Sequence, residues 1–376
     1  MRNALNLLKG SYAWIIAALL TIALVTPVAG DSLSPAGKPG GGKTRVSHTA
    51  KQTPPIQLGT SGGWYYDLAN GYCCGGTLGS LVTHGTKQYI LSNFHIFAAD
   101  RESGDNQRIA SGGDPIIQPG LIDVLCNGNE AQVVATLSDW ADPLAPANID
   151  AAIARVMPGM VDPNGAILEI GTISSSTLGE SLNLAVKKSG RTTGLTRSKI
   201  AGLNATIFVD YEDECAGSYR GRATFTGQIV VGNRGSKFLA GGDSGSLMVE
   251  DVAINPRAVG LLFAGSSSVA IANPIDEVLS YFGVEMVGPV GIQGTEVPVP
   301  AIEDAKKAQA RHAARLERVP HGVGHGIGLG HGGRVVIKVY VEEDTPEVGA
   351  AVPDSVDGIP VEIEQTGRIV AFSFCQ

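Results

Sequence analysis

Residues 239–247 read Leu-Ala-Gly-Gly-Asp-Ser-Gly-Ser-Leu, with Ser244 set between glycines. Glycines permit a tight turn in which successive backbone N–H groups point into one concavity. Ser244 in such a turn is a candidate nucleophile, and the N–H groups of Gly242 and Ser244 are the predicted oxyanion hole. Gly, Asp and Ser also form ordinary surface β-turns, so this stretch alone leaves both interpretations open.

A serine hydroxyl needs a general base, and the base needs a partner that holds its tautomer. His95 follows the apolar stretch 89–94 and is the best candidate base in the β-rich part of the chain. Asp150 precedes a short apolar run and is its candidate partner, whereas Asp139 and Asp142 are second choices in a proline-rich loop. The alternatives are a core histidine and a turn aspartate.

The three candidates follow one another as His95, Asp150 and Ser244, about 55 and about 94 residues apart. This chain order and these gaps suit a double β-barrel, with the triad in the cleft between the two barrels. Three weak signals in a consistent order strengthen one another, and together they predict acyl transfer to serine.

Short apolar or alternating runs fill the chain from about residue 71 to residue 284, separated by Gly, Asn, Asp and Pro. This spacing predicts an all-β barrel or sandwich, with one closing helix at 274–282. The 50 glycines and the charged fraction of 17% agree with short strands and tight turns. The predicted strands are 77–82, 89–92, 132–137, 151–156, 206–210, 224–231, 246–249 and 259–263.

The composition changes near Pro300, where residues rich in Ala, Glu, Lys and Arg predict an exposed helix at 301–318. We therefore predict a linker at 288–300 and a small separate α+β domain at 301–376, to which the sequence assigns no role. Its further predicted elements are a strand at 334–342, a helix or turn at 346–356 and two strands within 359–374.

Three histidines of a glycine-rich stretch, His321, His325 and His331, invite a metal interpretation. Their spacings of four and six residues match no standard zinc site. No metal and no cofactor are expected.

The first residues have the composition of a targeting segment. Arg2 and Lys9 are followed by the apolar run 13–25, which is short for a membrane span of about 20 residues. We predict a cleaved signal peptide at 1–30, with anchoring as the alternative, then a flexible leader at 31–56. The protein is then secreted or periplasmic, without stable membrane association. The net charge of -8 and the lack of a basic stripe predict no nucleic-acid partner.

Export would place the five cysteines in an oxidising compartment, where disulfides persist. An odd number leaves one unpaired or paired between chains, and Cys126 with Cys215 is one possible bridge. The sequence leaves the connectivity of the set open: Cys73, Cys74, Cys126, Cys215 and Cys375.

Three segments, Cys74–Leu78, Lys188–Gly194 and Val259–Gly265, resemble the trypsin/chymotrypsin-like serine protease clan. Within the clan the chain most closely resembles a bacterial group similar to the plant narrow-leaf protein. That similarity is carried by Leu91–His95, Gln118–Gly120, Ile149–Ala154 and Ala240–Leu247.

The resemblance implies a double six-stranded β-barrel of chymotrypsin type at 57–287, with the small α+β domain following it. It also implies an exported serine endopeptidase that hydrolyses protein or peptide substrates through an acyl-enzyme, with His95, Asp150 and Ser244 as its triad. Ile96 stands where trypsins have a cysteine, and no Ile-Val-Gly-Gly start is present. Activation by a freed N-terminus beside Asp243 is therefore not expected.

The predicted substrate pocket comprises Phe238, Phe263, Ala264 and Gly265, by the same resemblance. The segments that hold these residues, 235–241 and 263–267, carry no carboxylate, which favours small or apolar residues over Lys or Arg before the cut.

Two further hypotheses stand beside the protease. One is an inactive or weakly active binding or scaffold protein on a protease fold. The other is a protein that processes only itself.

Overall fold

The computed structural model describes residues 46–69, 71–98, 107–143, 147–211, 221–235, 237–291, 300–371 and 374–375. The predicted signal peptide and the leader up to residue 45 lie outside these described residues. Within them the chain is mainly β, with strands gathered in two sheets and few helices. The predicted fold class is confirmed.

The first sheet has ten strands among the described residues and holds the N-terminal half of the fold. Its strand order is β15-β4-β5-β8-β7-β6-β1-β3-β2, and β21 pairs with β3. The strands are β1 Thr60–Trp64, β2 Leu68–Ala69, β3 Tyr72–Leu78, β4 Ser80–His84, β5 Lys87–Ser92, β6 Pro115–Gln118, β7 Gln132–Ala141, β8 Ala151–Val156, β15 Glu285–Met286 and β21 Phe374–Cys375.

The second sheet has eleven strands in the same described ranges. Its order is β11-β14-β13-β12-β9-β10-β16-β17-β19-β18, and β20 pairs with both β10 and β13. The strands are β9 Ala185–Gly190, β10 Gly194–Tyr211, β11 Gly221–Gly232, β12 Leu247–Glu250, β13 Ala258–Gly265, β14 Val269–Pro274, β16 Gly322–Leu329, β17 Val335–Val341, β18 Ser355–Val356, β19 Ile359–Gln365 and β20 Val370–Ala371.

The helices are short except for one. Helix α2 buries Ile275, Val278 and Leu279 on one face and ends at Gly283, whose φ of 63° lies in the left-handed region. The four α-helices of the described chain are α1 Phe94–Phe97, α2 Ile275–Phe282, α3 Pro300–Leu316 and α4 Pro346–Ala351. Short 3-10 helices lie at Leu121–Val124, Gly128–Glu130 and His331–Gly333. None of these helices is long and apolar enough to span a membrane.

Burial follows the alternation that a half-covered strand requires. In β11, Ala223 and Phe225 are buried while Arg222 and Thr224 on the opposite face are not. Strand β13 is buried at every residue, which matches its continuous apolar sequence.

The C-terminal residues differ from the predicted separate domain. The glycine-rich stretch with the three histidines contains strand β16, which pairs antiparallel with β10 of the second sheet. Strands β17 and β19 extend the same sheet, and residues 46–376 form one compact unit. Backbone pairing between β10 and β16 therefore joins the part after residue 300 directly to the β-rich part before it.

The end of the predicted flexible leader is packed against the fold. Ile56 is fully buried, and His48 Nδ1 lies 2.7 Å from the carbonyl oxygen of Gly59. His48 Nε2 also lies 2.8 Å from Glu169 Oε2. The flexible-leader prediction is thus wrong at His48 and Ile56, because both side chains are buried in the fold.

The disulfide pattern also differs from the bridge considered above. Cys126 is bonded to Cys73, 53 residues earlier in the chain, and not to Cys215. This bridge ties β3 to the segment that follows the first 3-10 helix. Cys74 is disulfide-bonded as well.

Candidate active site

The candidate base and its partner meet in a buried hydrogen bond. His95 lies in α1, directly after β5, and Asp150 directly precedes β8, which pairs with β5. This pairing brings His95 Nδ1 to 2.6 Å from Asp150 Oδ2, and the backbone N–H of His95 donates to Oδ1 at 3.3 Å. Asp150 therefore orients the imidazole as a triad carboxylate would, whereas Asp139, one of the second choices, lies in β7.

The carboxylate of Asp150 is fully buried and has several partners. The Tyr211 hydroxyl donates to Asp150 Oδ2 at 2.6 Å. The backbone of Asp150 is fixed as well, because its N–H donates to Asn273 Oδ1 and its carbonyl accepts from Asn93 Nδ2. A buried carboxylate costs much free energy unless hydrogen bonds satisfy it, so these donors make the position tenable.

The other imidazole nitrogen, His95 Nε2, is buried and has no hydrogen-bond partner within the described residues. The Ser244 hydroxyl donates instead to the carbonyl oxygen of Phe263, at 3.1 Å. The structure therefore joins His95 to Asp150, while the hydroxyl of Ser244 is turned towards β13.

The Ser244 turn is held against the first sheet by β3. Thr77 donates its N–H to the Ser244 carbonyl and its hydroxyl to the Gly242 carbonyl, both at 2.9 Å. Gly242 has a φ of 87° and Gly245 a φ of 90°, a region that side chains disfavour. A Cβ on Gly245 would also collide with the Ser92 hydroxyl and the Thr77 carbonyl. Glycine is therefore required at both positions.

The backbone of the same turn supplies two candidate oxyanion donors. Its N–H groups at Asp243, Gly245 and Ser246 donate to backbone carbonyls. Those at Gly242 and Ser244 make no backbone hydrogen bond in the described part of the chain. These two groups are the ones that the sequence predicts for the oxyanion hole.

Asp243, next to the candidate nucleophile, is fully buried and closely bound by β9 and the turn after it. Its Oδ1 accepts the N–H groups of Thr192 and Thr193, and its Oδ2 accepts the Thr193 hydroxyl at 2.7 Å. Lys188 Nζ lies 3.1 Å from Asp243 Oδ2, and neither side chain is exposed. Such a pair fixes the position of the turn, because either charge alone would be buried without compensation.

Burial lowers the pKa of Lys188 below its usual value of 10.5, although the charge and hydrogen bond of Asp243 act in the opposite direction. Desolvation disfavours the charged ammonium, and the adjacent carboxylate favours it. Lys188 also donates to the Thr193 hydroxyl and to the Gly194 carbonyl.

A second ion pair connects the turn after β9 to the 3-10 helix Leu121–Val124. Arg191 Nε and Nη2 bind the two oxygens of Asp123 at 2.6 and 2.7 Å. The Ser61 hydroxyl donates to the same carboxylate. This bidentate geometry is the strong, directional form of an arginine–carboxylate pair.

The predicted pocket residues fall into two groups. Phe238 and Phe263 are fully buried in different hydrophobic clusters, and Phe263 packs on Phe225 with ring centroids 4.8 Å apart. Ala264 and Gly265 end β13, where they pair with β20. The pocket itself stays a prediction.

The three histidines considered for a metal do not come together. His325 is buried in β16, where Gln309 Nε2 lies 2.8 Å from its Nδ1, and burial lowers its pKa to about 4. His331 lies in an exposed 3-10 helix and His321 in a turn before β16. Among the described residues no group of three metal-binding side chains occurs.

Two functional contacts are missing from the sequence-based predictions. Tyr211 is 61 residues from Asp150 and stands at a strand end without a distinctive motif. Lys188 belongs to the Lys188–Gly194 segment, but a lysine in an alternating strand is normally expected at the surface. The available signal for Lys188 was its place two residues before the Gly-Arg-Thr-Thr-Gly motif.

Residues 146–272 match a family model, and this segment includes Asp150, Tyr211 and Ser244. The model is that of the Nal1 C-terminal domain. His95 lies before the Nal1-like segment, on the first sheet. No curated protein matches the chain.

Solved structures similar to this chain include bacterial serine proteases. One is a glutamic-acid-specific serine protease that uses a histidine triad in substrate binding, 20% identical, covering 61% of this chain and 100% of that chain at a TM-score of 0.41. Thermobifida fusca protease A is 18% identical, and the match covers 62% of this chain and 98% of that chain at a TM-score of 0.40. Cellulomonas bogoriensis chymotrypsin is 19% identical, and the match covers 57% of this chain and 94% of that chain at a TM-score of 0.35.

Proposed function

We propose that this protein is a serine endopeptidase in which Ser244 is the nucleophile, His95 the general base and Asp150 the group that orients His95. The observation that supports this most is the state of the imidazole. His95 Nδ1 is bound by a buried carboxylate, while Nε2 has no partner among the described residues. An imidazole that is oriented through Nδ1 and has no partner at Nε2 is what a general base needs.

The first half-reaction begins with rotation of the Ser244 hydroxyl from the Phe263 carbonyl towards His95 Nε2. Serine Oγ attacks the peptide carbonyl carbon while its proton passes to Nε2, and the carbonyl electrons move to oxygen. The N–H groups of Gly242 and Ser244 donate to that oxyanion. When the C–N bond breaks, the proton on Nε2 goes to the departing amine, which leaves an ester on Ser244.

The second half-reaction repeats these transfers with water. His95 Nε2 takes a proton from the water as its oxygen attacks the ester carbonyl, and returns that proton to Ser244 Oγ as the ester bond breaks. Asp150 stabilises the imidazolium in both halves, and Tyr211 holds Oδ2 of the carboxylate in place. The products are a free carboxylate and the unmodified enzyme.

A second candidate function rests on one observation, the hydrogen bond from the Ser244 hydroxyl to the Phe263 carbonyl. A hydroxyl that stays in this position is not activated by His95, and the chain would then be a binding protein on a protease fold. The two candidates differ in turnover, which a chemical test separates.

Substrate class and location belong to the same proposal. Proteins or peptides are the substrates, with small or apolar residues before the cut, and the protein acts after export. The Cys73–Cys126 disulfide supports an oxidising compartment, since such bonds persist outside the cytosol.

The test is hydrolysis of an unbiased peptide library by the purified chain, with product masses read at each cut. We expect cleavage that Ser244→Ala and His95→Ala each abolish, whereas His84→Ala, at an exposed histidine outside the site, leaves it unchanged. Cleavage that survives Ser244→Ala would contradict the assignment. A library cut mainly after Arg or Lys would contradict the proposed preference.

A further inference from the structure

Strand β20, near the C-terminal end of the described residues, lies beside the candidate nucleophile. Strand β20 pairs antiparallel with β13, with Ala371 opposite Ala264 and Val370 opposite Gly265. The residue before Ala264 is Phe263, whose carbonyl accepts the Ser244 hydroxyl at 3.1 Å. The C-terminal segment therefore occupies the stretch of sheet edge that adjoins the nucleophile.

The segment also pairs with the first sheet. Strand β21 is antiparallel to β3, with Phe374 opposite Gly75. Thr77 of the same β3 holds the Ser244 turn through two hydrogen bonds. The C-terminal segment thus pairs with two of the strands that contact this turn, β13 in the second sheet and β3 in the first.

The residues before β20 are anchored firmly. Ile369 is buried in the main core, and its carbonyl accepts the N–H of Asp210 at 3.1 Å. Arg368 Nε lies 2.6 Å from Asp210 Oδ2. Hydrogen bonds from Arg222 and then Arg368 hold the pKa of Asp210 below its usual value, so its carboxylate is ionised at neutral pH.

A peptide that presents a carbonyl to Ser244 has to run along this same edge in extended form, because the β13 backbone is what it can pair with. We propose that strand β20, Val370–Ala371, occupies that substrate position and inhibits the full-length chain. This inference rests on the proposed function. Covering an edge also prevents aggregation, but that role does not require the covered edge to be the one beside the nucleophile.

A tethered segment is a strong competitor. An intramolecular ligand acts at an effective concentration on the order of millimolar, so a free peptide has to displace it at a disadvantage. We expect removal of the segment to raise the rate of active-site modification at least about tenfold on that basis.

The experiment compares a chain that ends after Ile369 with the full-length chain, both carrying Cys74→Ser so that Cys74 is the same in each. The readout is the rate of labelling by a fluorophosphonate probe. We expect the shortened chain to label at least tenfold faster, and its Ser244→Ala variant not to label. Equal rates would overturn the inhibition and leave the proposed function standing. No labelling of either chain would overturn the proposed function, and the inhibition with it.

A full-length variant keeps the test valid if the shortened chain folds poorly. Arg368→Glu places a like charge against Asp210 and should raise the labelling rate in the same direction. The matched control is Arg197→Glu, at an exposed Arg–Asp pair with Asp251, which should leave the rate unchanged. Equal rates for the two variants would contradict the proposal.

A binding measurement tests occupancy without catalysis. A fluorescent peptide of residues 370–376 with Cys375→Ser is titrated against the shortened chain carrying Ser244→Ala. Saturable binding to this chain, and none to the full-length Ser244→Ala chain, is the expected result. Absence of binding to the shortened chain would overturn the proposal. So would loss of the C-terminal segment from the wild type but not from Ser244→Ala, because the segment would then be a substrate and not an inhibitor.

Discussion

Lys188 Nζ lies 3.1 Å from Asp243 Oδ2, and both side chains are fully buried directly beside Ser244. The pair joins β9 to the turn whose N–H groups are the candidate oxyanion donors. The position of this turn is therefore fixed from inside the fold, by a lysine side chain that reaches the carboxylate preceding the nucleophile.

Replacement of Lys188 should damage both stability and activity. In Lys188→Met, Asp243 and the oxygens of Thr193 and Gly194 lose a buried hydrogen-bond donor, and an unsatisfied buried group typically costs about 1–3 kcal/mol in the free energy of unfolding. Displacement of the Gly242 and Ser244 N–H groups should lower kcat by roughly 100-fold, as the loss of an oxyanion donor does. Denaturant unfolding and peptide hydrolysis measure the two effects.

The matched control is Lys187→Met, one residue earlier in β9. Lys187 donates to the Val252 carbonyl and does not contact Asp243. We expect it to keep most of the activity. If Lys188→Met were as active as Lys187→Met, the positioning role of Lys188 would be wrong.

The same pair gives an alkaline pH dependence. Because burial lowers the pKa of Lys188, its charge is lost below the usual lysine value of 10.5, and kcat should fall there. Between the lowered pKa and 10.5 the folded chain binds fewer protons than the unfolded chain, so this group makes the free energy of unfolding rise with pH. Activity should therefore decline between the lowered pKa of Lys188 and pH 10.5, a range in which deprotonation of Lys188 does not lower the Tm. A decline that coincides with unfolding would contradict this origin.

Tyr211→Phe should weaken catalysis without removing the triad. The variant loses the 2.6 Å hydrogen bond to Asp150 Oδ2, and a hydrogen bond to a charged group is worth about 1.5–3 kcal/mol. We expect kcat/KM to fall roughly 10- to 100-fold, because Asp150 is held less firmly against His95.

Tyr340→Phe is the control for this change, because the Tyr340 hydroxyl is buried without a hydrogen-bond partner among the described residues. It should leave kcat/KM unchanged. An equal loss of kcat/KM in both variants, or no loss in either, would argue against a positioning role for Tyr211.

The Cys73–Cys126 bridge should stabilise the first sheet. It closes a loop of 53 residues, and the chain-entropy relation assigns about 4 kcal/mol to a loop of that length. Cys73→Ser with Cys126→Ser should lower the free energy of unfolding by an amount of this order while peptide hydrolysis persists below the new Tm. An unchanged Tm would show that the bridge does not constrain the unfolded chain.

Local patterns were sufficient where a residue's role depends on its own segment. The apolar run before His95 and the one after Asp150 predicted β5 and β8, and the pairing of these strands brings the two side chains together. The glycines around Ser244 predicted the turn. The hydroxyl's direction, towards Phe263, depends on β13 and has no local signal.

Strand β16 in the C-terminal part was not predicted, because its pattern is ambiguous. Residues 322–329 read Gly-Val-Gly-His-Gly-Ile-Gly-Leu, an alternation with the period of a strand, but glycine is usually a sign of a loop. Gly326 faces Ala205 and the Tyr340 hydroxyl so closely that a Cβ would lie 3.1 Å from each. The need for glycine arises from close strand packing between β10, β16 and β17, which only the assembled sheet reveals.

Mass mapping of fluorophosphonate adducts tests the central claim most directly. The full-length chain and the chain ending after Ile369 are incubated with the probe, digested and examined for the modified residue. We predict one adduct, on Ser244, that disappears in Ser244→Ala and is strongly reduced in His95→Ala. A folded chain that takes up no probe in either form, or takes it up on another residue, would contradict Ser244 as the nucleophile.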